Sequence, residues 1–278
     1  MNKKIKILFV FVCMTSLLPL FSGCSSNAAN KSNQIKTGII GALAEEVSLL
    51  KQDMEISKTT TISGMEFCEG KLDGKDVIVV QSGMGKVNAG ICAQMLINTF
   101  GANRVINTGV AGSLDAKIDI GDIVVSTDAI EHDFDLTPLG YAPGQVYESG
   151  PTGFPADENM RKNVLIAAKE CAPNIHVFEG RICTGDQFIA SKEQKNAIIS
   201  KFGGLCCEME GGSIAQVCYI NKIPFVIIRA ISDKADDSEE MSFEEFKNDA
   251  AARCAAITKY MVTHYTDTNK QLINKIKL

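Results

Sequence analysis

Short runs of apolar and β-branched residues alternate along this chain with segments long enough to form amphipathic helices. The runs span residues 37–41, 76–81, 104–108, 123–126, 181–184 and 224–231. Alternation of this kind is typical of a largely parallel sheet wrapped by helices. We therefore expect an α/β fold in which a central mixed, largely parallel twisted sheet is flanked by helices.

Length and charge narrow the expected function. A chain of 278 residues with 45% hydrophobic content can bury a large core as a single domain. The net charge is -5, and no stripe of lysine and arginine is present to meet the phosphates of a nucleic acid. A small-molecule substrate is the favoured partner.

The N-terminal residues predict a signal peptide. Lys3, Lys4 and Lys6 precede an apolar run, Ile7 to Phe21, that is shorter than a membrane span requires. The run ends at Phe21-Ser22-Gly23-Cys24, which resembles the lipobox of bacterial lipoproteins, although Phe21 stands where leucine is usual. In that lipobox the cysteine is lipidated and becomes the mature N-terminus.

This interpretation divides the chain into four parts. Residues 1–23 form the signal peptide, 24–35 the lipidated Cys24 with a flexible tether, 36–267 the folded domain and 268–278 a polar tail. The domain is then expected outside the cytoplasmic membrane and attached to it only through lipid. An uncleaved anchor is the alternative, and it places the domain on the same side.

The cysteines favour buried thiols over disulfides or metal ligands. Cys13 and Cys24 belong to the leader, and the other eight form no C-x-x-C pair and no cluster with histidine. Several of them stand among apolar or small residues, which is typical of free buried cysteine. We expect neither a metal site nor a cofactor.

Two Ser-x-x-Gln/Glu patterns predict helix starts. They are Ser191 to Gln194 and Ser242 to Glu245, and both have the form of a capping box. The helix that follows Ser242 is expected to run to about Tyr265.

Glycine-rich turns follow two of the predicted strands, at the edge where open α/β sheets place their ligands. The segment 81–86 contains Ser82 and two glycines, but Val80 and Val87 exclude a P-loop, and G-x-G-x-x-G is incomplete. It is either a ligand-binding turn or a purely structural one. The segment Asn107 to Gly112 either admits a flat ligand or allows close helix packing.

Carboxylates stand at three other strand ends. Glu46 follows the first strand, where an acid can simply complement a helix dipole. Glu208 and Glu210 adjoin an apolar strand, so they need hydrogen-bond donors, such as a polyhydroxyl ligand, unless they are solvated. Asp233 ends an apparently central strand, where an ion pair with Arg229 is the alternative.

Taken together, these segments resemble the 5′-methylthioadenosine/S-adenosylhomocysteine nucleosidases of the nucleoside phosphorylase superfamily. The resemblance covers residues 36 to about 265 and includes the motifs at 121–126, 184–189 and 242–246. It implies a nucleoside phosphorylase-like fold, and it implies that 36–267 is a nucleosidase domain that cleaves the N-glycosidic bond of both nucleosides.

The resemblance also implies roles for the acids. Glu46 would orient and deprotonate the attacking water, and Glu210 would hold the ribose hydroxyls. Asp233 would protonate N7 of adenine, with Ser232 helping to place it. Breaking a ribosyl bond builds an oxocarbenium-like sugar and a purine anion, so an acid at the base and a water on the opposite face suit this chemistry. Such an acid requires a pKa raised by burial, which we expect for Asp233.

Further substrate contacts follow from the same resemblance. Phe188 would stack on the base, the Ile189 backbone would read the adenine edge, and Met209 would line the sugar pocket. The remaining expected binding residues are Ser82, Gly112, Glu208, Arg229 and Phe243. Because part of the 5′ pocket comes from a neighbouring subunit in this family, a homodimer is also implied.

Three alternative functions stay open. A purine nucleoside phosphorylase would place arginines near the glycine turns to bind phosphate, and none accompanies Gly83 or Gly109 in the sequence. A non-catalytic nucleoside-binding lipoprotein would suit the leader but has no use for a water-activating Glu46. A futalosine-type nucleoside hydrolase shares the same carboxylates.

Overall fold

The computed structural model describes residues 35–146, 150–236 and 239–266, without the side chains of 239–242. The predicted signal peptide, Cys24 and the tail 268–278 lie outside these ranges. None of the helices within them combines the length and the hydropathy needed to cross a bilayer.

The described residues form one mixed sheet with helices on both faces. The strands are β1 (Thr37–Gly41), β2 (Glu55–Ile62), β3 (Met65–Leu72), β4 (Lys75–Gln81), β5 (Arg104–Ser113), β6 (Ile123–Glu131), β7 (Phe154–Pro155), β8 (Val177–Thr184), β9 (Cys206–Glu208) and β10 (Phe225–Asp233). The helices are α1 (Ala44–Asp53), α2 (Lys86–Asn98), α3 (Glu158–Cys171), α4 (Lys192–Phe202), α5 (Gly211–Asn221) and α6 (Glu239–Thr263).

Strand pairing confirms the predicted α/β fold with a mixed sheet. Parallel pairings join β4, β1, β5 and β10 in that order, and they also join β6, β8 and β9. Antiparallel pairings of β10 with β6 and of β9 with β5 then close five strands into a ring. The hairpin of β2 and β3 extends the other edge through β4.

Two apolar layers cover the sheet, one on each face. Ile39, Ile106 and Ile228 face α3 and α6, whereas Ile40 and Ile227 face α2 and α5. Neighbouring residues of one strand point to opposite faces, so strands buried on both sides become continuous apolar runs. This two-sided burial explains why β1, β4 and β10 are recognisable in the sequence.

The two predicted helix starts have different outcomes. Ser191 is the N-cap of α4, and its hydroxyl oxygen accepts the backbone N–H of Gln194 at 3.3 Å, which confirms that start. The start predicted at Ser242 is wrong, because α6 already begins at Glu239. A serine inside a helix costs only a fraction of a kcal/mol, so the same pattern also occurs within helices.

The cysteines follow the prediction closely. None of the eight within the described ranges forms a disulfide, and seven of them are buried. Cys171, at the end of α3, is the exposed one.

Candidate active site

A cleft of about 570 Å³ opens at the carboxyl ends of β1, β5 and β10. It brings together most of the predicted site residues: Glu46, Gly112, Phe188, Ile189, Glu208, Met209, Glu210, Ser232, Asp233 and Phe243. Ala42, Leu43, Met84, Val110, Ala111, Gln187 and Cys207 complete its lining. Ser82 and Arg229 are not part of this lining.

Glu46 is held in a fixed position in the first turn of α1. Its side chain is buried, and Oε2 accepts the N–H groups of Ala42 at 2.6 Å and Leu43 at 2.9 Å. Oε1 accepts the N–H of Val110 at 3.0 Å, across from β5. Burial raises the pKa of Glu46, although Arg229 and these N–H groups oppose the rise. A general base works best with a pKa near neutral pH, so burial suits Glu46 to that role.

No sequence pattern marks Val110 as a site residue, because its contribution is a backbone N–H. The contact joins positions that are 64 residues apart in the chain. It becomes visible only when β5 and α1 are placed side by side.

Arg229 and Glu208 form a buried ion pair below the cleft. Both side chains are almost fully buried, and Arg229 Nη2 donates to Glu208 Oε2. The same nitrogen donates to Asn107 Oδ1 at 2.6 Å. The alternative pairing of Arg229 with Asp233 is therefore wrong, since β10 directs Arg229 towards β9 instead.

Glu208 is satisfied by the protein itself. Besides Arg229, it accepts the Thr184 hydroxyl, and its Oε2 accepts the N–H groups of Glu210 at 3.1 Å and Gly211 at 2.7 Å. A buried charge needs donors of this kind. These contacts meet the requirement for hydrogen-bond donors without a ligand.

Arg229 also lies directly against Gly109, its partner in the pairing of β10 with β5. A Cβ at position 109 would clash with both the Arg229 guanidinium and the Glu46 carboxylate. The inference that no arginine accompanies Gly109 is thus wrong. Arg229 is remote in sequence and is brought there by strand pairing.

Glu210 stands at the N-terminus of α5, where its Oε1 accepts the Gly85 N–H at 2.9 Å. Burial, together with the neighbouring Glu208 carboxylate, raises the pKa of Glu210 to about 7. The turn that presents this N–H has Gly83 at φ 82° and Gly85 at φ 93°, a backbone region that favours glycine.

Ser82 belongs to the same turn but is not among the residues that line the cleft. It is buried, and its hydroxyl donates to the Gly83 carbonyl at 2.8 Å. The turn therefore serves Glu210 through its backbone, and Ser82 stabilises the turn.

Asp233 ends β10 just after a register shift against β5. It is buried; its Oδ2 accepts the Ser232 hydroxyl at 2.7 Å and its Oδ1 the Ala235 N–H at 3.0 Å. Burial raises the pKa of Asp233 more than these donors lower it, which confirms the predicted direction. Gly112 leaves room for the carboxyl group, since a Cβ there would be 2.6 Å from Oδ1.

Aromatic side chains form one wall of the cleft. Phe188, after β8, and Phe243, in α6, meet edge to face with ring centroids 5.6 Å apart. Phe188 is 49% exposed and Met84 is 61% exposed, whereas Ile189 is buried behind them. An apolar ligand group would cover these exposed surfaces.

Comparison with known proteins places this site in a family. A sequence model of the Phosphorylase superfamily matches residues 36–263. The 5′-methylthioadenosine/S-adenosylhomocysteine nucleosidase of Psychromonas ingrahamii is 43% identical over 234 residues, covering 83% of this chain and 99% of that protein. The nucleosidase of the same name from Bacillus thuringiensis is 41% identical over 220 residues, covering 78% and 94%.

Solved structures agree. The nucleosidase of Neisseria meningitidis in complex with methylthio-immucillin-A superposes with a TM-score of 0.79 at 38% identity, covering 82% of this chain and 98% of that chain. The Colwellia psychrerythraea nucleosidase in complex with adenine gives 0.80 at 38%, with 84% and 96% covered. Futalosine hydrolase of Helicobacter pylori gives 0.78 at 33%, with 82% and 97% covered. The chain belongs to the 5′-methylthioadenosine/S-adenosylhomocysteine nucleosidases of the phosphorylase superfamily.

Proposed function

We propose that this chain hydrolyses the N-glycosidic bonds of 5′-methylthioadenosine and S-adenosylhomocysteine and releases adenine and the 5′-thio-ribose. The observation that carries the proposal is the convergence of three buried carboxyl groups, Glu46, Glu210 and Asp233, on one cleft. Each has a raised pKa and is held by at least one backbone N–H.

The three acids divide the reaction between them. Asp233, protonated, gives its proton to N7 of the purine, so the base leaves as neutral adenine when the C–N bond breaks. Glu46 takes a proton from the water whose oxygen bonds to the anomeric carbon. Glu210 accepts hydrogen bonds from the ribose hydroxyls and so holds the sugar in place.

Charge within the cleft favours water over phosphate as the nucleophile. The cation at the glycine turn, Lys86, is bound by Glu131 at 3.1 Å and by Asp133 at 2.6 Å. The cation beside Gly109, Arg229, faces Glu208, Glu210 and Glu46. A phosphorylase must leave cations available to a dianion, and these two are already neutralised.

Adenine release from methylthioadenosine, in buffer with and without phosphate, tests this choice. We expect equal rates in both buffers. A strict requirement for phosphate would overturn the hydrolase assignment, and tight binding without turnover in a calorimetric titration would favour a nucleoside-binding protein.

A substrate panel tests the 5′-thio preference. The exposed faces of Met84, Phe188 and Phe243 suit the apolar thioether group that both nucleosides carry at the 5′ position. We expect methylthioadenosine and S-adenosylhomocysteine to have the highest kcat/KM in a panel with adenosine, inosine and a futalosine. Preference for the futalosine would reassign the substrate.

We also propose that the protein is a homodimer. Met84, Val87 and Ile91 lie along the start of α2 beside the cleft, and their exposures are 61%, 71% and 42%. Val87 and Ile91 are one turn apart on one side of α2, and Met84 lies just before the helix. Exposed apolar surfaces of this kind mark interfaces. Sedimentation of the wild type should give a dimer and that of Val87→Glu a monomer. A monomeric wild type at micromolar concentration would contradict this.

We further propose that Cys24 carries a lipid and holds the domain outside the cytoplasmic membrane. There the enzyme would salvage external nucleosides, and the methylthio group that it releases would serve methionine salvage. The leader of residues 1–23 supports this. Cell fractionation should find the wild-type protein in the membrane fraction. The Cys24→Ser variant should keep its leader uncleaved. Wild-type protein in the cytosol with residues 1–23 intact would remove the proposal.

A further inference from the structure

Lys86, the first residue of α2, links two parts of the chain that are distant in sequence. Its ammonium donates to Asp133 Oδ1 at 2.6 Å and to Glu131 Oε2 at 3.1 Å, and only 17% of its side chain is exposed. Glu131 is the last residue of β6. The start of α2 is therefore tied to the end of β6.

Asp186 closes this link into a cycle. Its Oδ1 accepts the backbone N–H of Lys86 at 2.7 Å, and its own N–H donates to Asp133 Oδ2 at 2.8 Å. Asp186 lies in the loop between β8 and α4. Lys86, Asp133 and Asp186, which we term the Lys86 cluster, thus connect three separate segments.

Two substrate-facing parts of the cleft adjoin the Lys86 cluster directly. The preceding N–H, that of Gly85, is the one donated to Glu210. The residues that follow Asp186, namely Gln187, Phe188 and Ile189, line the cleft. A shift of the cluster would move both parts together.

The other two acids are held independently. Glu46 is bound by Ala42, Leu43 and Val110, and Asp233 by Ser232 and Ala235. None of these contacts passes through the Lys86 cluster. Its loss should therefore affect binding more than chemistry.

The Lys86 cluster differs from an ordinary surface ion pair, which contributes little. Burial opposes the charge on Lys86, yet its hydrogen bonds to Asp133 and Glu131 and the attraction of these carboxylates more than offset this and raise the pKa of Lys86. Charge-assisted hydrogen bonds at partly buried sites are strong and directional. Such bonds can fix a loop.

We propose that Lys86, Asp133 and Asp186 are positioning residues for substrate binding: they set the Gly85 N–H on Glu210 and hold the base-binding loop 187–189 in place. The assignment of ribose and base to these parts rests on the proposed function.

The kinetic test is Lys86→Met. We expect KM for methylthioadenosine to rise about 10-fold, as for the loss of a hydrogen bond to a charged group, and kcat to change less than about 3-fold. Lys71→Met is the matched control, because it removes another Lys–Asp pair, that of Lys71 with Asp76 at 2.7 Å in the β3–β4 hairpin. It should leave both constants unchanged.

Asp133→Asn keeps the shape of the side chain and provides a second variant if Lys86→Met does not fold. It should raise KM in the same way. The double variant, Lys86→Met with Asp133→Asn, should have a KM no higher than that of the single variant with the higher KM, because both substitutions break the same link. Additive effects would contradict a shared role.

Hydrogen exchange of the unliganded proteins tests the link without any substrate. Amides of Gly85 and of the loop 187–189 should exchange faster in Lys86→Met and Asp133→Asn than in the wild type or Lys71→Met. If wild type releases no adenine, the proposed function fails and exchange alone decides this inference. If wild type is active, unchanged KM or unchanged exchange in both variants overturns the inference alone.

Discussion

The residues proposed to carry the chemistry are carboxyl groups whose protonation depends on their surroundings. Burial raises the pKa of Glu46, Glu210 and Asp233 alike. Their donors differ, because Glu46 accepts three backbone N–H groups whereas Asp233 accepts one N–H and one hydroxyl. N–H donors favour the ionised form, so Glu46 is suited to act as a base and Asp233 as an acid.

Asp233→Asn tests the acid. An amide keeps the shape of the group but has no acidic proton, so kcat should fall by about 100-fold or more. In the wild type, kcat/KM should also fall as pH rises through the raised pKa of Asp233, because the proton is then lost. Adenine release from pH 5 to 9 measures both, with the surface variant Asp53→Asn as control. A variant that keeps most of its kcat would remove Asp233 from this role.

Glu210→Gln tests how much the ionised Glu210 carboxylate destabilises the folded protein. The pKa of Glu210 is about 7 in the folded protein and about 4.5 in the unfolded chain. The protonated side chain therefore stabilises the folded state, and this stabilisation is complete below about pH 4.5. This stability is lost as pH rises from about 4.5 to 7. The free energy of unfolding of the variant should therefore exceed that of the wild type by about 1–3 kcal/mol at pH 8, and the two should differ little at pH 4.

Denaturant unfolding at both pH values measures this difference. Glu55→Gln, which changes an exposed acid of β2, is the control and should show no such pH dependence. An equal effect of Glu210→Gln at pH 4 and pH 8 would contradict the assignment.

Among the elements, β5 and β10 determine the shape of the cleft. Their parallel register pairs Arg229 with Gly109 and Asp233 with Gly112, so each charged side chain of β10 meets a residue without a side chain on β5. This complementarity allows two ionisable groups to be buried between adjacent strands. The two glycines of the Asn107–Gly112 segment therefore admit protein side chains.

Gly112→Ala tests this complementarity. The added Cβ would be 2.6 Å from Asp233 Oδ1 and 2.9 Å from the Ala235 Cβ. We expect a loss of about 1–3 kcal/mol in unfolding free energy and a fall in kcat, because the carboxyl group must move. Thermal unfolding and adenine release measure the two effects. Gly90→Ala in α2 is the control and should cause neither loss, because a Cβ there meets nothing within 4 Å. Wild-type activity in Gly112→Ala would refute the close approach of Gly112 to Asp233.

At the scale of the whole molecule, ring closure by β5, β10, β6, β8 and β9 converts distant sequence positions into one site. Glu46 and Glu210 are far apart in the chain, and they face the same cleft. The fold also encloses most of the thiols of the domain.

Thiol reactivity tests this enclosure. Burial raises the pKa of Cys92 and of Cys183 to about 12, and the thiolate is the reactive form. Among the eight described cysteines of the native protein, Cys171 should be labelled first by a maleimide, with the buried ones reacting only after unfolding. Peptide mass mapping reads this out, with Cys171→Ser as control. Early labelling of Cys92 or Cys183 would contradict the packing.

The α/β class, the strands buried on both faces and the acids at strand ends could be predicted from the sequence alone. These features have local signals, because two-sided burial produces apolar runs such as 224–231 and tight turns require glycine. The hairpin strand β2 has no such signal, since it is mostly exposed and polar. The start of α6 was misplaced because the capping pattern at Ser242 also fits a helix interior.

Which buried acids receive their hydrogen bonds from the protein itself became known only from the folded structure. Glu208 is bound by Arg229, Glu46 by Val110 N–H and Glu210 by Gly85 N–H, and the Glu210 contact spans 125 residues. Hydrogen bonds between positions so far apart leave no periodicity or spacing in the chain. They depend on strand register and on backbone direction, which exist only once the sheet has closed.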